Sequence, residues 1–119
     1  MLSKNKRIDK VLFKKVFERG RVFDEEHIFA KVLNISDPEK RFSFTVPSKT
    51  TKSAVKRNLM KRRGKHVIGV NINNIKSGFA VSFFFKNNST NLKYSEIKDE
   101  VIKILKKANL CENLKKDAK

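Results

Sequence analysis

Arg41-Phe42-Ser43-Phe44-Thr45-Val46-Pro47 and, shortly after it, Ser53-Ala54-Val55-Lys56-Arg57-Asn58-Leu59-Met60-Lys61-Arg62-Arg63-Gly64-Lys65-His66-Val67-Ile68 decide what kind of fold this chain adopts. In the first stretch Phe42, Phe44 and Val46 alternate with Ser43 and Thr45, the two-residue period of a strand buried on one face. Pro47 has no amide hydrogen for a ladder and ends it. The second stretch lacks that alternation and reads as a helix, capped by Ser53 and running to about Ile68. Gly64 should weaken this helix by about 1 kcal/mol relative to Ala. Strand and helix together ask for both element types in one core.

Working outward, Leu12, Phe13, Val16 and Phe17 recur at three- and four-residue spacing, with Asp9 as N-cap and Gly20 as stop, so a first helix precedes the strand. His27 to Ile35 is strand-like, and Asp37-Pro38-Glu39-Lys40 reads as a turn. Downstream, Asn71 to Gly78 looks irregular, Phe79 to Lys86 is a strongly apolar strand, and Asn87 to Asn91 is a polar loop. Ile97, Val101, Ile104, Leu105 and Ala108 mark one face of a last helix. The tail from Glu112 is charged and expected to fray. The fold class is therefore α+β: a small sheet of three to four strands packed by helices, in the order α-β-β-(β)-α-β-α. One domain over residues 1–119 is expected, its ordered core about 5–110, without repeats or a linker.

Charge is the second signal. All twelve acids lie outside residues 40–95, a span that carries thirteen Lys and Arg. Formal net charge is +17 and the pI is near 10.3. Such a segment repels itself unless something negative lies beside it, and a phosphate backbone is the natural partner. The single cysteine, Cys111, excludes an internal disulfide and a multi-cysteine zinc site. The basic start lacks a signal peptide's apolar run, and Phe79 to Phe85 is too short to span a bilayer. A soluble, cytoplasmic protein is expected, with no membrane partner and no small-molecule substrate.

At about 100° per residue, Arg57, Asn58, Lys61, Arg62 and Lys65 fall within an arc of roughly 140°, with Val55, Leu59, Met60 and Val67 on the other side. One face would serve the core and one would meet phosphates, with Arg57 and Arg62 able to give paired hydrogen bonds. Most of the ten Phe should be core, and Phe42, Phe44, Phe79, Phe83 and Phe85 fit that role. Phe13, Phe17 and Phe29 are better placed for a partly open groove where unpaired bases stack, Phe17 being the more structural of the first two and Phe13 the more exposed. Catalytic machinery is missing from this pattern. His27 and His66 are far apart in sequence, the basic half has no carboxylate, and the four glycines form no phosphate loop. Asp24-Glu25-Glu26 reads as a solvated loop. The residues describe a binder, with no catalytic residue and no metal site of its own.

Ala54-Val55-Lys56-Arg57-Asn58-Leu59-Met60-Lys61-Arg62 resembles the signature helix of the bacterial ribonuclease P protein component, Ala-Val-x-Arg-Asn-Arg-x-Lys-Arg. Phe13-Lys14-Lys15-Val16-Phe17-Glu18-Arg19-Gly20 is similar to that family's first helix. Arg41 and Thr45 to Lys49, then Phe79 to Lys86 and Leu92 to Glu96, follow in the family's order, so the resemblance covers roughly residues 5–108. Leu59 stands where the family's motif has its second Arg. The resemblance implies a left-handed βαβ crossover. It implies the accessory subunit of an endoribonuclease that removes the 5′ leader of precursor tRNA. The RNA subunit would do the chemistry with Mg2+, and the protein alone would hold no cofactor. It further implies RNA-subunit binding by Lys49, Lys52, Lys56, Arg57, Asn58, Lys61, Arg62 and Lys65, and a leader cleft at Phe13, Phe17, Lys31 and Lys86. A ribosomal or other structural RNA-binding protein would share the size, charge and architecture. A protein-only nuclease would need the missing carboxylate cluster, and a DNA-binding helix would carry more base-reading polar residues.

Overall fold

The structure, a computed structural model, describes residues 7–36 and 38–111. Asp37 of the expected turn and the tail from Glu112 lie outside the described residues. Helix α1 spans Lys10–Arg19 and is bounded as its sequence requires. The Asp9 carboxylate accepts from the Leu12 amide at 2.8 Å, satisfying one of the donors a helix start leaves over. Gly20 closes it with its amide on the Val16 carbonyl, and a Cβ there would lie 2.5 Å from that oxygen.

Four strands follow: β1 (Arg21–Asp24), β2 (Ile28–Asn34), β3 (Arg41–Thr45) and β4 (Phe79–Phe85). Helix α2 (Ala54–Asn71) joins β3 to β4, and α3 (Tyr94–Lys107) closes the described fold. The sheet order is β1-β2-β4-β3. β2 pairs antiparallel with both β1 and β4, while β3 and β4 are parallel neighbours, which only a crossover such as α2 allows. The bracketed extra strand is β1, a four-residue edge hairpin partner of β2. Asp24 ends it, so the expected acidic loop is in part a strand and a tight turn.

Strand alternation divides the sheet into two faces. Ile28, Ala30 and Val32 of β2, Phe42 and Phe44 of β3, and Val81, Phe83 and Phe85 of β4 share one face. They are buried and form the main core with Met60, Val67 and Ile68 of α2 and Ile97, Val101, Ile104 and Leu105 of α3. Phe44 and Phe83 stack at 4.8 Å within it. The other face carries Phe29, Lys31, Ser82, Phe84, Ser43 and Thr45. There α1 lays Phe13 and Phe17 against Phe84, with ring centroids 5.9 and 6.0 Å from it.

Gly64 has a different role from the one its helix propensity suggests. It is buried, and a Cβ on it would stand 2.4–2.9 Å from three ring atoms of Phe44. The missing side chain lets α2 lie directly on the Phe44 ring. This contact also turns the helix. Val55, expected in the core, is 80% exposed, whereas Gly64 and Ile68 face inward. The true core stripe is rotated by roughly a quarter-turn from the one drawn through Val55, Leu59, Met60 and Val67. α2 also runs three residues past Ile68, and the buried Asn71 side chain donates through its Nδ2 to the Val67 carbonyl at 2.9 Å.

Candidate nucleic-acid interface

The cap of α2 is Ser53, whose hydroxyl accepts from the Lys56 amide at 3.2 Å. Arg57 is half-buried at the start of the helix and donates to the Thr51 carbonyl at 2.8 Å, tying the helix to the loop that delivers it. Lys49 and Lys52 stand exposed on that loop, and Lys56, Asn58 and Arg62 are exposed on the helix. Lys61 and Lys65 are half-buried on the Arg57 flank. All eight residues expected to meet RNA therefore reach the surface. They occupy the loop, the outward face and both flanks of one helix.

The electrostatics of that surface are one-sided. Burial, with Arg7 and Lys61 close by, pushes the Lys65 ammonium below its ordinary range. An anion placed among these groups would relieve that repulsion. Several acids elsewhere already have partners. Asp24 pairs with Lys86 at 2.7 Å, and Glu25 pairs with Lys107. Glu100, buried on α3, takes the His27 backbone amide at 2.9 Å and sits 2.5 Å from its Nδ1. His27 thereby clamps the β1–β2 turn to α3. His66 meets the Tyr94 hydroxyl at 2.9 Å. Each histidine has a structural partner, and the two lie in separate places. Among the described residues no three His, Cys, Asp or Glu come together as metal ligands. Burial raises the Cys111 thiol to about 11, with Lys106 opposing, which leaves it an unreactive core group.

The opposite sheet face holds the second candidate surface. Phe17 is 49% exposed, while Phe13, in ring contact with both Phe17 and Phe84, is half-buried, so the expected order of the two is reversed. Phe17 lies toward the C-terminal end of α1. The Lys31 ammonium sits 3.7 Å from its ring centroid and donates to its backbone carbonyl at 2.8 Å. Phe29 stacks on Phe84 at 4.9 Å, continuing the aromatic floor. Beside that floor the Ser43 and Ser82 hydroxyls bond to each other at 2.9 Å. Lys86, also assigned to the cleft, is held by Asp24 and the Glu25 carbonyl at the end of β4. Phe13, Phe17 and Lys31 thus meet in one place. Lys86 stands on the same face but is committed to the β1–β2 turn.

Residues 2–109 match the family described as Ribonuclease P. The chain belongs to the ribonuclease P protein family. It is 30% identical over 112 residues to the ribonuclease P protein component of Clostridium novyi, covering 92% of this chain and 98% of that one. To the component from Pelotomaculum thermopropionicum it is 27% identical over 110 residues, 92% and 93% of the two chains. The ribonuclease P fold is equally plain. The Staphylococcus aureus RNase P protein superposes with a TM-score of 0.82 at 19% identity, over 92% of this chain and all of that one. The Thermotoga maritima RNase P protein does so with 0.73 at 18%, over 80% and 89%. None of these relatives favours a general structural RNA-binding protein over a ribonuclease P subunit.

Sequence reasoning missed one part of this interface. The wheel placed Leu59 in the core, but it is only half-buried and lines a groove against the start of α3. Tyr94, the chain's single tyrosine, lines the same groove; it entered the sequence reading only within the Leu92 to Glu96 stretch and not as a site residue, because an isolated aromatic has no period.

Proposed function

We propose that this ribonuclease P protein subunit docks on the enzyme's RNA subunit through α2 and its leading loop, and holds the 5′ leader of precursor tRNA on the α1 face of the sheet. One observation carries the reading: a helix buried on one stripe turns Asn58 and Arg62 outward and Arg57, Lys61 and Lys65 to one flank, within a span that has no acid. Lys49, Lys52 and Lys56 extend the same surface. Lysine and arginine there screen the approach of two polyanions, the RNA subunit and its tRNA substrate. On the far side of the sheet, Phe17 and Lys31 offer an unpaired leader nucleotide an aromatic edge and a cation. Phe13 backs the ring from below, and Lys86 marks the cleft's end. Catalysis belongs to the RNA with its Mg2+; the protein alone, a single RNA-binding domain at work in the cytoplasm, takes no cofactor.

Reconstitution tests this. Protein alone should leave precursor tRNA intact, and protein with its cognate RNA subunit should cleave it at lowered magnesium. In the same assay Arg57→Ala should weaken RNA-subunit binding more than Lys106→Ala, an exposed lysine on the acid-bearing α3. Its salt dependence should also flatten, because one phosphate contact fewer releases fewer counterions. Equal losses from the two variants would remove α2 as the docking face, and cleavage by RNA-free protein would overturn the whole reading.

A further inference from the structure

Between the start of α3 and the flank of α2 away from Arg57 runs an open groove. It consists of two adjoining pockets of about 320 and 380 Å3 that share Arg63 and Tyr94. Each falls within the range of small-ligand clefts, about 300–1,000 Å3. Leu59 and Met60 give it an apolar wall. Lys56, Arg62, Arg63 and Lys93 give it cations. Arg63 is fixed there by its hydrogen bond to the Leu92 carbonyl at 3.1 Å, and Lys56 reaches the Asn91 side chain at 3.3 Å. The Glu96 carboxylate, two residues along from Tyr94, is taken by the Lys93 amide at 2.8 Å. Tyr94 itself is oriented by His66, through the hydroxyl contact and an edge-to-face packing of the rings at 5.5 Å and 68°.

An oriented aromatic ring, an aliphatic wall and several cations form a site for a flat apolar group that carries a negative charge. We propose that this groove receives one unpaired nucleotide of the RNA subunit, its base stacked on Tyr94 against Leu59 and its phosphate on Arg62 and Arg63. The proposal rests on α2 being the docking helix. Two features favour the RNA subunit over the leader as the source. The groove adjoins the outward face of α2 that carries Asn58 and Arg62, and the sheet separates it from Phe17 and Lys31. Leu59 matters here because the family's motif places an Arg at this position; the leucine leaves carbon surface for a base.

The chain has one tyrosine and no tryptophan, so ring-labelled tyrosine gives a single set of NMR signals that report on this groove alone. Adenosine 5′-monophosphate at millimolar concentration should move those signals upfield by ring-current stacking, while ribose 5-phosphate and inorganic phosphate should not. No movement with the nucleotide overturns the proposal, and so does equal movement with all three probes, which marks a phosphate site only. Tyr94→Phe should keep nucleotide binding within about twofold, whereas Tyr94→Leu should weaken it by about five- to a hundred-fold, read from the Arg63 and Leu92 amides. Undiminished binding by a folded Tyr94→Leu protein also overturns it. The two readings fail separately. If Arg57→Ala leaves RNA-subunit binding unchanged while the nucleotide still moves Tyr94, the docking role of α2 falls and the nucleotide site stands. If Arg57→Ala weakens RNA binding and Tyr94 does not respond, the groove proposal falls alone.

Discussion

The two faces of the sheet are built from similar residues and finished differently. Phenylalanine dominates both, yet on one face Phe42, Phe83 and Phe85 are sealed under α2 and α3, while on the other Phe17 stands half out of the protein. The difference lies in what covers them. Two long helices span the first face, whereas a ten-residue helix covers only part of the second. An aromatic ring is therefore no guide to burial here; the number of layers above it is. The sealed face fixes the position of α2, and the half-covered face is left with surface for a ligand.

Truncations should separate the faces by size of effect. Phe83→Ala removes a fully buried ring from the sealed side and should cost about 3–5 kcal/mol of stability in denaturant titration. A loss below about 1 kcal/mol there would mean the two faces are not distinct. Gly64→Ala should come next. Its methyl would press into the Phe44 ring, and overpacking of about 1–3 kcal/mol should outweigh the better helix propensity, about 1 kcal/mol. A stabilised Gly64→Ala protein would show that Phe44 gives way and that propensity decides at this position. Phe17→Ala should have the smallest effect, under about 1 kcal/mol in stability, since half the ring already meets water. It should still lower affinity for precursor tRNA, and not for mature tRNA, by about 1 kcal/mol, the low end for one stacking contact. A stability loss like that of Phe83→Ala, with unchanged discrimination between the two tRNAs, would make Phe17 a core residue and remove the open cleft.

Much of this molecule was legible in its sequence because local rules and tertiary packing agree. Asp9 and Gly20 bound α1 where caps predict, and the alternation through Phe42 and Phe44 is the alternation of β3. Agreement fails where a residue's own chemistry differs from what its neighbours require of it. Gly64 looks like a weak point in a helix and is instead the place where α2 lies directly on the Phe44 ring of the sheet. Val55 is apolar yet sits at the first turn, beyond the edge of the core. β1 escaped a firm assignment because a short edge strand of sequence Arg21-Val22-Phe23-Asp24 buries too little to show a period. In the candidate site, the composition of α2 was readable, but its rotation about its own axis was set by Phe44. That rotation decides which cations face outward and which line a groove with α3.

The parallel pairing of β3 with β4 has a consequence for how the chain reaches this structure. Ser43 lies opposite Ser82, so the β3 edge of the sheet closes only after the acid-free segment between them has been gathered in. Gathering it is entropically slow, as for any long-range contact, and in this chain it also crowds like charges together. Closure of this edge therefore has an electrostatic cost as well as an entropic one. Salt, or a polyanion lying along the segment, lowers its barrier by screening, and refolding should quicken as ionic strength rises. The helix that carries the cations lies inside the loop so closed, and a polyanion that speeds refolding more than simple salt does would act as a template for folding as well as a ligand.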